Sequence, residues 1–347
     1  MQLKKPHVVI FFGGEEASRD LSQETGYWAC QYIPRDKYQV TPVHVLANGS
    51  WQVPLGSLPQ QGPVDRMMSM LFKSLRALSP AEGLQRVLAR PVAAMMSVIR
   101  GRGGDDGALQ GMGRSLLIPV VGSSASACQQ TANKHAFNSR IDDMASTPMT
   151  MYFSAKKSPQ EITEEVRAMM MPPIFVKPNN QEGSFGIEEV GDLDNLSAAV
   201  NRAVRHGDVL VQERARGTEI SLSLVENEQG RLTVLPATIV VPKHATYYDQ
   251  LAKRRPGRVK LYTDKQDDNV LVAEAEAIAR DVYERLGLRG YATVDLVADD
   301  DSLDLLEVNT VPTLTAATPL RAQLAAGGVH PGAFFDGLIK RSLNDGY

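Results

Sequence analysis

The stretch that decides the fold runs from Tyr291 to Pro312 and reads YATVDLVADDDSLDLLEVNTVP. Two apolar runs, residues 292–297 and 305–309, flank the turn-like residues 298–302, so the segment predicts a β-hairpin. Side chains alternate along a strand, which puts Glu307 and Asn309 on one face and brings Asp295 beside them once the strands pair. Two carboxylates and an amide set among apolar residues are costly to bury uncompensated. A hard divalent cation relieves that cost. Mg²⁺ takes one or two carboxylates and completes its shell with substrate phosphates. The alternative is an exposed hairpin face carrying ordinary polar residues.

Upstream, the pattern supplies elements that such a site needs. Residues 269–286 form a strong helical pattern, and residues 209–211, 219–225 and 232–240 read as strands of a largely antiparallel sheet. Between helix and strands, residues 242–258 are basic, polar and aromatic, with no core pattern. Lys177 ends an apolar strand, residues 174–177, and is followed by a loop holding Gly183, Ser184 and Gly186. Glycine lets backbone N–H groups turn inward around an oxyanion. A plain turn explains the same loop, and the absence of any Gly-Lys pair excludes a Walker A motif. A strand at 187–190 and a helix at 193–204 follow it.

Nearer the start, residues 7–12 read as a buried strand ending in Gly13-Gly14, with a helix at 22–32 and a strand at 40–46. That order predicts an open α/β sheet. A strand at 92–99, the run 101–107, a helix from Ala108, a short strand at 118–123 and a helix at 124–140 continue it. Residues 50–92 interrupt the sheet. Their loosely helical Met, Leu and Arg pattern suggests an inserted helical hairpin, with methionines as core filler. Two short helices close the chain.

Composition narrows the function. With 347 residues, 43% of them apolar, the chain has enough core for two or three domains. A net charge of −3 excludes a general nucleic-acid-binding face. Cys30 and Cys128 form neither a disulfide framework nor a metal spacing, and a reducing cytoplasm is the expectation. The apolar run 8–12 is too short for a signal peptide, and no run approaches the roughly 20 residues of a membrane span. Zinc-protease, Cys-x-x-Cys and nucleophile-elbow motifs are missing from the sequence. The run 101–107 fails the dinucleotide fingerprint, because Asp106 falls where its third glycine belongs.

Taken in order, several short motifs resemble the D-alanine–D-alanine ligase family of the ATP-grasp superfamily. They are Phe12-Gly13-Gly14, the run from Arg102 to Gly111, Ile118-Pro119 with Val121-Gly122-Ser123, Asn133-Lys134, and Phe175-Val176-Lys177-Pro178. The loop at Ser184, Tyr248-Asp249 with Ala252-Lys253, and Val294-Asp295 through Glu307 to Pro312 complete the set. The resemblance spans nearly the whole chain except residues 50–90. It implies an α/β and α+β chain, an ATP-grasp fold with a Rossmann-like N-terminal domain (1–121), a central subdomain (122–212) and a C-terminal subdomain (213–347). It implies ATP and two Mg²⁺ ions, with Mn²⁺ as an alternative, small-molecule carboxylate and amine substrates, and a homodimer. On this resemblance Lys134, Lys177 and Lys253 hold phosphates, with Lys253 on a mobile loop. Gly183, Ser184, Glu213, Ala215 and Glu219 contact the nucleotide, Glu219 at its ribose. Asp295, Glu307 and Asn309 hold the ions.

The departures gather on the amino-acid side. Where the family has an oxyanion-stabilising arginine, this chain has Thr293, and a hydroxyl cannot replace a guanidinium fork. Ser18 stands where the family has a glutamate for the first substrate's ammonium, Arg100 where it has a histidine, and Arg254 where it has a lid tyrosine. Thr313 replaces the glycine of a Pro-Gly pair. The loop serine aligns with Gly183, or with Ser184 after a one-residue shift. The resemblance therefore places Lys253, Arg254, Thr293 and Ser184 at the chemistry, and Ser18, Arg100, Thr313 and Thr318 around the substrates. The expectation is an acyl-phosphate-forming ligase with substrates other than two D-alanines, one of them carrying an extra carboxylate. A housekeeping D-alanine–D-alanine ligase and a non-catalytic ATP-binding regulator are the alternatives.

Overall fold

The computed structural model describes residues 5–15, 18–181, 184–263, 270–299 and 302–345. Gly183 lies outside them. The first sheet is built around β1 (His7–Gly13), which is buried along its whole length. Helix α1 (Arg19–Tyr32) leads to β2 (Gln39–Val45) and β3 (Trp51–Gln52). Helices α2 (Val64–Ser74) and α3 (Pro80–Leu88) precede β4 (Ala94–Ser97), α4 (Ala108–Ser115) and β5 (Val120–Val121). The strand order is β3-β2-β1-β4-β5, parallel except for β3. Alternate residues of β1 enter different cores, Val8, Ile10 and Phe12 on one side and Val9 and Phe11 on the other. The order reverses at β1 and β4, so the loops after these two strands open one crevice.

The inserted segment is a pair of helices, as the expected hairpin requires. Ser79, Pro80 and Glu82 build a capping box that starts α3 afresh. Met68 is buried in the first core, as a filler methionine should be, whereas Met70 is exposed.

Helices α5 (Ala125–Ala132) and α6 (Lys134–Ile141) lead to a second, antiparallel sheet. Its strands are β6 (Thr150–Phe153), β7 (Ile174–Pro178), β8 (Glu188–Val190) and β9 (Val209–Glu213), in the order β6-β9-β7-β8. Helices α7 (Pro159–Met169) and α8 (Leu196–Ala203) cover one face, where Ile174, Val176, Val209 and Val211 point. Phe175, Lys177, Leu210 and Gln212 alternate onto the other.

The third sheet contains β10 (Thr218–Glu226), β11 (Leu232–Val234), β12 (Thr238–Pro242), β13 (Val259–Thr263), β14 (Tyr291–Ala298) and β15 (Leu303–Asn309). Helix α9 (Gln250–Arg254) lies between β12 and β13, and α10 (Val270–Arg285) precedes β14. The order is β13-β12-β10-β14-β15, with β11 added to β10. The expected single strand at 232–240 is two strands, parted around Pro236, which has no N–H for a ladder. The segment expected to lack core residues contributes Tyr248 and Ala252 to a small core with Val259 and Ala317.

Helices α11 (Pro319–Ala326) and α12 (Pro331–Asp345) follow. The last is not short, and it does not stay with the third sheet. Phe334, Phe335, Leu338 and Ile339 pack into the core of the first.

His7 offers a test of this packing. Its ring is buried, with Nδ1 3.2 Å from the Pro91 carbonyl and Nε2 2.8 Å from the Thr41 hydroxyl. Burial, helped by the neighbouring Arg90, lowers its pKa, and the Pro91 carbonyl opposes them. Below about pH 6.5 the unfolded chain therefore binds a proton that the folded one refuses, so stability is lost as pH falls through that value. The urea midpoint is expected to drop between about pH 7 and pH 5, and His7→Gln to flatten that drop whatever it does at neutral pH. Equal pH slopes for the two proteins would refute the assignment.

Candidate active site

Glu219, Ser221 and Ser223 alternate onto one face of β10. Ser221 pairs with Asp295 and Ser223 with Thr293 on β14. On the far side of β14, Asp295 pairs with Glu307 and Thr293 with Asn309. The sheet thus carries two polar rows, Ser221–Asp295–Glu307 and Ser223–Thr293–Asn309. Its reverse face carries Leu222, Val294, Leu296 and Val308 in the core formed with α10. One irregularity shapes this wall. The register slips between Asp295 and Leu296, so Leu296 meets Leu305 while Asp295 meets Glu307. Leu306 is the extra residue of a β-bulge, and it turns into the larger cavity.

The polar rows are closely bonded. Ser221 Oγ donates to Asp295 Oδ1 at 2.6 Å. Asn309 Nδ2 donates to Asp295 Oδ2 at 3.0 Å and lies 3.4 Å from Glu307 Oε1. Thr293 and Ser223 share a hydroxyl–hydroxyl bond of 3.0 Å. Lys253 Nζ lies 3.7 Å from Glu307 Oε1.

A cavity of about 280 Å³ lies between the second and third sheets. Lys134, Lys177, Lys253, Asp295 and Glu307 gather in its lining, with Glu219 also on the wall. Phe175, Ile187, Leu210 and Val241 supply apolar surface, and Glu213, Arg214 and Ala215 line another part. Ser184 lines it too, in a left-handed backbone conformation, φ 61°. Its hydroxyl donates to the Tyr248 carbonyl at 3.3 Å. Segment 243–249 is tied to the second sheet where Arg214 and Thr246 both reach Glu189.

A smaller cavity of about 50 Å³ adjoins it, sharing Tyr248, Lys253 and Asp295. Arg100, Thr293, Thr313 and Thr318 line it, with Ser221 and Asn309. Ser18 does not. Its buried hydroxyl donates to the Arg100 carbonyl at 2.6 Å, so it holds the Arg100 backbone instead of facing the cavity. Arg254 ends α9 and lines neither cavity.

The charges are mutually perturbed. Burial lowers Lys177 to about 8, opposed by Glu307 and reinforced by Lys134 and Lys253. Burial and then Asp295 push Glu219 up, and burial and then Glu307 push Asp295 up. Burial also pushes at Glu307, but Lys253, Lys134 and Arg100 overcome it and hold that carboxyl low.

These features test what the site can hold. Crowded ammonium groups favour a polyanion, and carboxylates pushed up by one another favour a cation. Among the described residues no group of three or more His, Cys, Asp or Glu side chains is placed to hold a metal. The set of two carboxylates and an amide fits a hard ion that draws its remaining oxygens from phosphate. The apolar walls fit a flat heterocycle. ATP with a divalent ion meets each requirement.

Sequence reading missed Ser221, Ser223 and Leu306. The period-2 run from Glu219 carried the signal for the serines. The adjacent Leu305 and Leu306, which break alternation, carried it for the bulge.

Comparison with known proteins agrees with this geometry. The family profile described as D-ala D-ala ligase N-terminus matches residues 7–123, and that described as D-ala D-ala ligase C-terminus matches residues 142–340. D-alanine–D-alanine ligase B of Clostridium tetani is 26% identical, the match covering 99% of this chain and 95% of that protein. D-alanine–D-alanine ligase A of Mesorhizobium japonicum is 28% identical, covering 98% of each. Among solved structures, VanG D-Ala:D-Ser ligase from Enterococcus faecalis superimposes with a TM-score of 0.79 at 20% identity, over 98% of this chain and 100% of that one. D-alanine–D-alanine ligase from Bacillus anthracis complexed with ATP gives 0.73 at 21%, over 99% and 98%. The chain thus belongs to the D-alanine–D-alanine ligase family and is an ATP-dependent ligase forming carbon–nitrogen bonds on an ATP-grasp fold.

Proposed function

We propose that this enzyme joins the carboxylate of one amino acid to the amine of another, and that the pair is not two D-alanines. The observation that carries the ligase reading is the convergence of Asp295 and Glu307, with the Asn309 amide against both, on the cavity wall that Lys177 and Lys253 also reach. ATP, when bound, supplies the phosphoryl group that activates the carboxylate as an acyl phosphate. Lys134, Lys177 and Lys253 would hold its phosphates, Glu213 and Ala215 would lie along its base, and Glu219 would accept from its ribose hydroxyls. Asp295, Glu307 and Asn309 would hold Mg²⁺, in one or two ions. Positioning and charge neutralisation are most of what phosphoryl transfer asks of a protein.

Lys253 lines both cavities, so its ammonium serves the junction at which phosphate and carboxylate meet. The buried Tyr248, whose hydroxyl donates to the Ala317 carbonyl, keeps segment 243–258 seated and water out. The smaller cavity supports the altered substrate pair. Thr293 presents a neutral hydroxyl bonded to Ser223, and Thr313 and Thr318 add further hydroxyls. An acidic amino acid remains the preferred partner. A homodimer in the cytoplasm completes the reading.

A D-alanine–D-alanine ligase is the second reading, because the curated relatives above carry that name. Phosphate release from ATP, measured over a panel of D- and L-amino acids and acidic homologues, separates the two. Robust turnover with D-alanine alone would sink the altered pair. Independently, Asp295→Asn and Lys177→Met are each expected to lower turnover at least about a hundredfold, more than second-layer changes at metal sites usually cost. Their thermal unfolding should stay cooperative. Near-normal turnover in either would sink the site.

A further inference from the structure

Arg100 was expected among the substrate contacts, yet its donors are committed elsewhere. It leaves the first sheet just after β4, and its guanidinium crosses to the third sheet. Nη1 donates to the Val311 carbonyl at 3.1 Å and lies 3.2 Å from Asp105 Oδ2. Nη2 donates to Asn309 Oδ1 at 2.6 Å. The main chain is fixed as well. Ser18 Oγ donates to its carbonyl, and its N–H donates to Ser22 Oγ at 2.9 Å. The guanidinium is a buried, clamped group aimed at one side of Asn309.

That aim determines which way the Asn309 amide faces. One side of the amide meets two carboxylates, which only accept, and the other meets a guanidinium, which only donates. A single orientation satisfies both, with nitrogen toward Asp295 and Glu307 and oxygen toward Arg100. In this orientation the amide fills the space beside the carboxylates with N–H groups and turns its one ligating atom away. An ion held there is served by the amide oxygen only if the amide turns over, and turning sets its N–H₂ against the guanidinium.

We propose that Arg100 is a positioning residue that holds Asn309 in its ion-averse orientation and so sets the affinity of the metal site. This rests on the assignment of the ion to Asp295, Glu307 and Asn309 proposed above. It explains why a clamped cation is found in a wall that otherwise gathers carboxylates. Its effect on ion binding is partly plain charge repulsion and partly the bond to Asn309. Lysine separates the two, since it keeps the charge but replaces the two-nitrogen fork with a single donor point.

The test measures Mn²⁺ binding to the full-length protein without nucleotide, read as loss of the free-ion electron paramagnetic resonance signal. Arg100→Lys is expected to tighten Mn²⁺ by about tenfold, the worth of one charge-assisted hydrogen bond. In an Asn309→Ala background the same substitution should change nothing, because the amide it acts through is gone. Structural damage weakens binding, so a gain cannot come from misfolding. Equal affinity of wild type and Arg100→Lys, weaker binding in Arg100→Lys, or the same gain in both backgrounds, would overturn the inference. Asp295→Asn keeps the two ideas apart. Mn²⁺ binding that survives it would instead sink the metal-site assignment, whereas no binding in either wild type or Arg100→Lys would overturn the inference alone, since the assigned ion draws further oxygens from phosphate.

Discussion

Three carboxylates share one half-buried face of the third sheet, and the rest of the site answers that constraint. Burial first, and then the neighbouring carboxylates, raise the cost of ionising Glu219 and Asp295, while Lys253, Lys134 and Arg100 hold Glu307 charged. Buried charge of one sign is stable only beside the other sign or a hydrogen-bond donor. The protein supplies Lys253 from the segment after β12, Lys177 from the second sheet and Arg100 from the first. Each cation thus comes from a different part of the chain, and the carboxylates are what bring those parts to one place. The same imbalance prepares the cleft for a nucleotide and its ion, which bring further charge of both signs.

The two cavities divide the chemistry in space. The larger one has apolar walls with ammonium groups among them. The smaller mixes hydroxyl and amide groups with Leu21, Leu320 and two prolines, and with the charges of Arg100, Lys253 and Asp295. Their common border is Tyr248, Lys253 and Asp295. A hydroxyl lining discriminates differently from a charged one, because it pairs with neutral and anionic oxygens alike.

Much of this was legible in the sequence where local pattern and function coincide. The hairpin at Asp295 and Glu307 reads correctly because alternation and turn composition agree there, and β14 pairs with β15 as they require. The N-terminal open sheet was legible for the same reason. What escaped depends on contacts distant in sequence. The family resemblance puts Ser18 at a substrate position, but its hydroxyl meets a carbonyl some eighty residues away. Arg100 lines the smaller cavity, where it was expected, but its bonds to Asn309 and Val311 on the third sheet could not be read from the sequence. The core residues Tyr248 and Ala252 hide in a stretch, 242–258, whose polarity suggests an open loop, because only one side of it packs. The bulge at Leu306 was visible as a broken alternation, but its effect on direction appears only once a partner strand fixes the register.

The return of α12 to the first sheet has a consequence for how the protein is made. Phe334, Phe335, Leu338 and Ile339 close the core that Val8, Ile10 and Phe12 begin. The two lie far apart along the chain, so a ribosome delivers β1 well before α12. Helix α1 packs on β1 directly, whereas the part of the core at α1, β4 and β5 is completed only when α12 arrives. A nascent chain stalled before residue 331 exposes an apolar sheet face and is a natural client for chaperones that shield such surfaces.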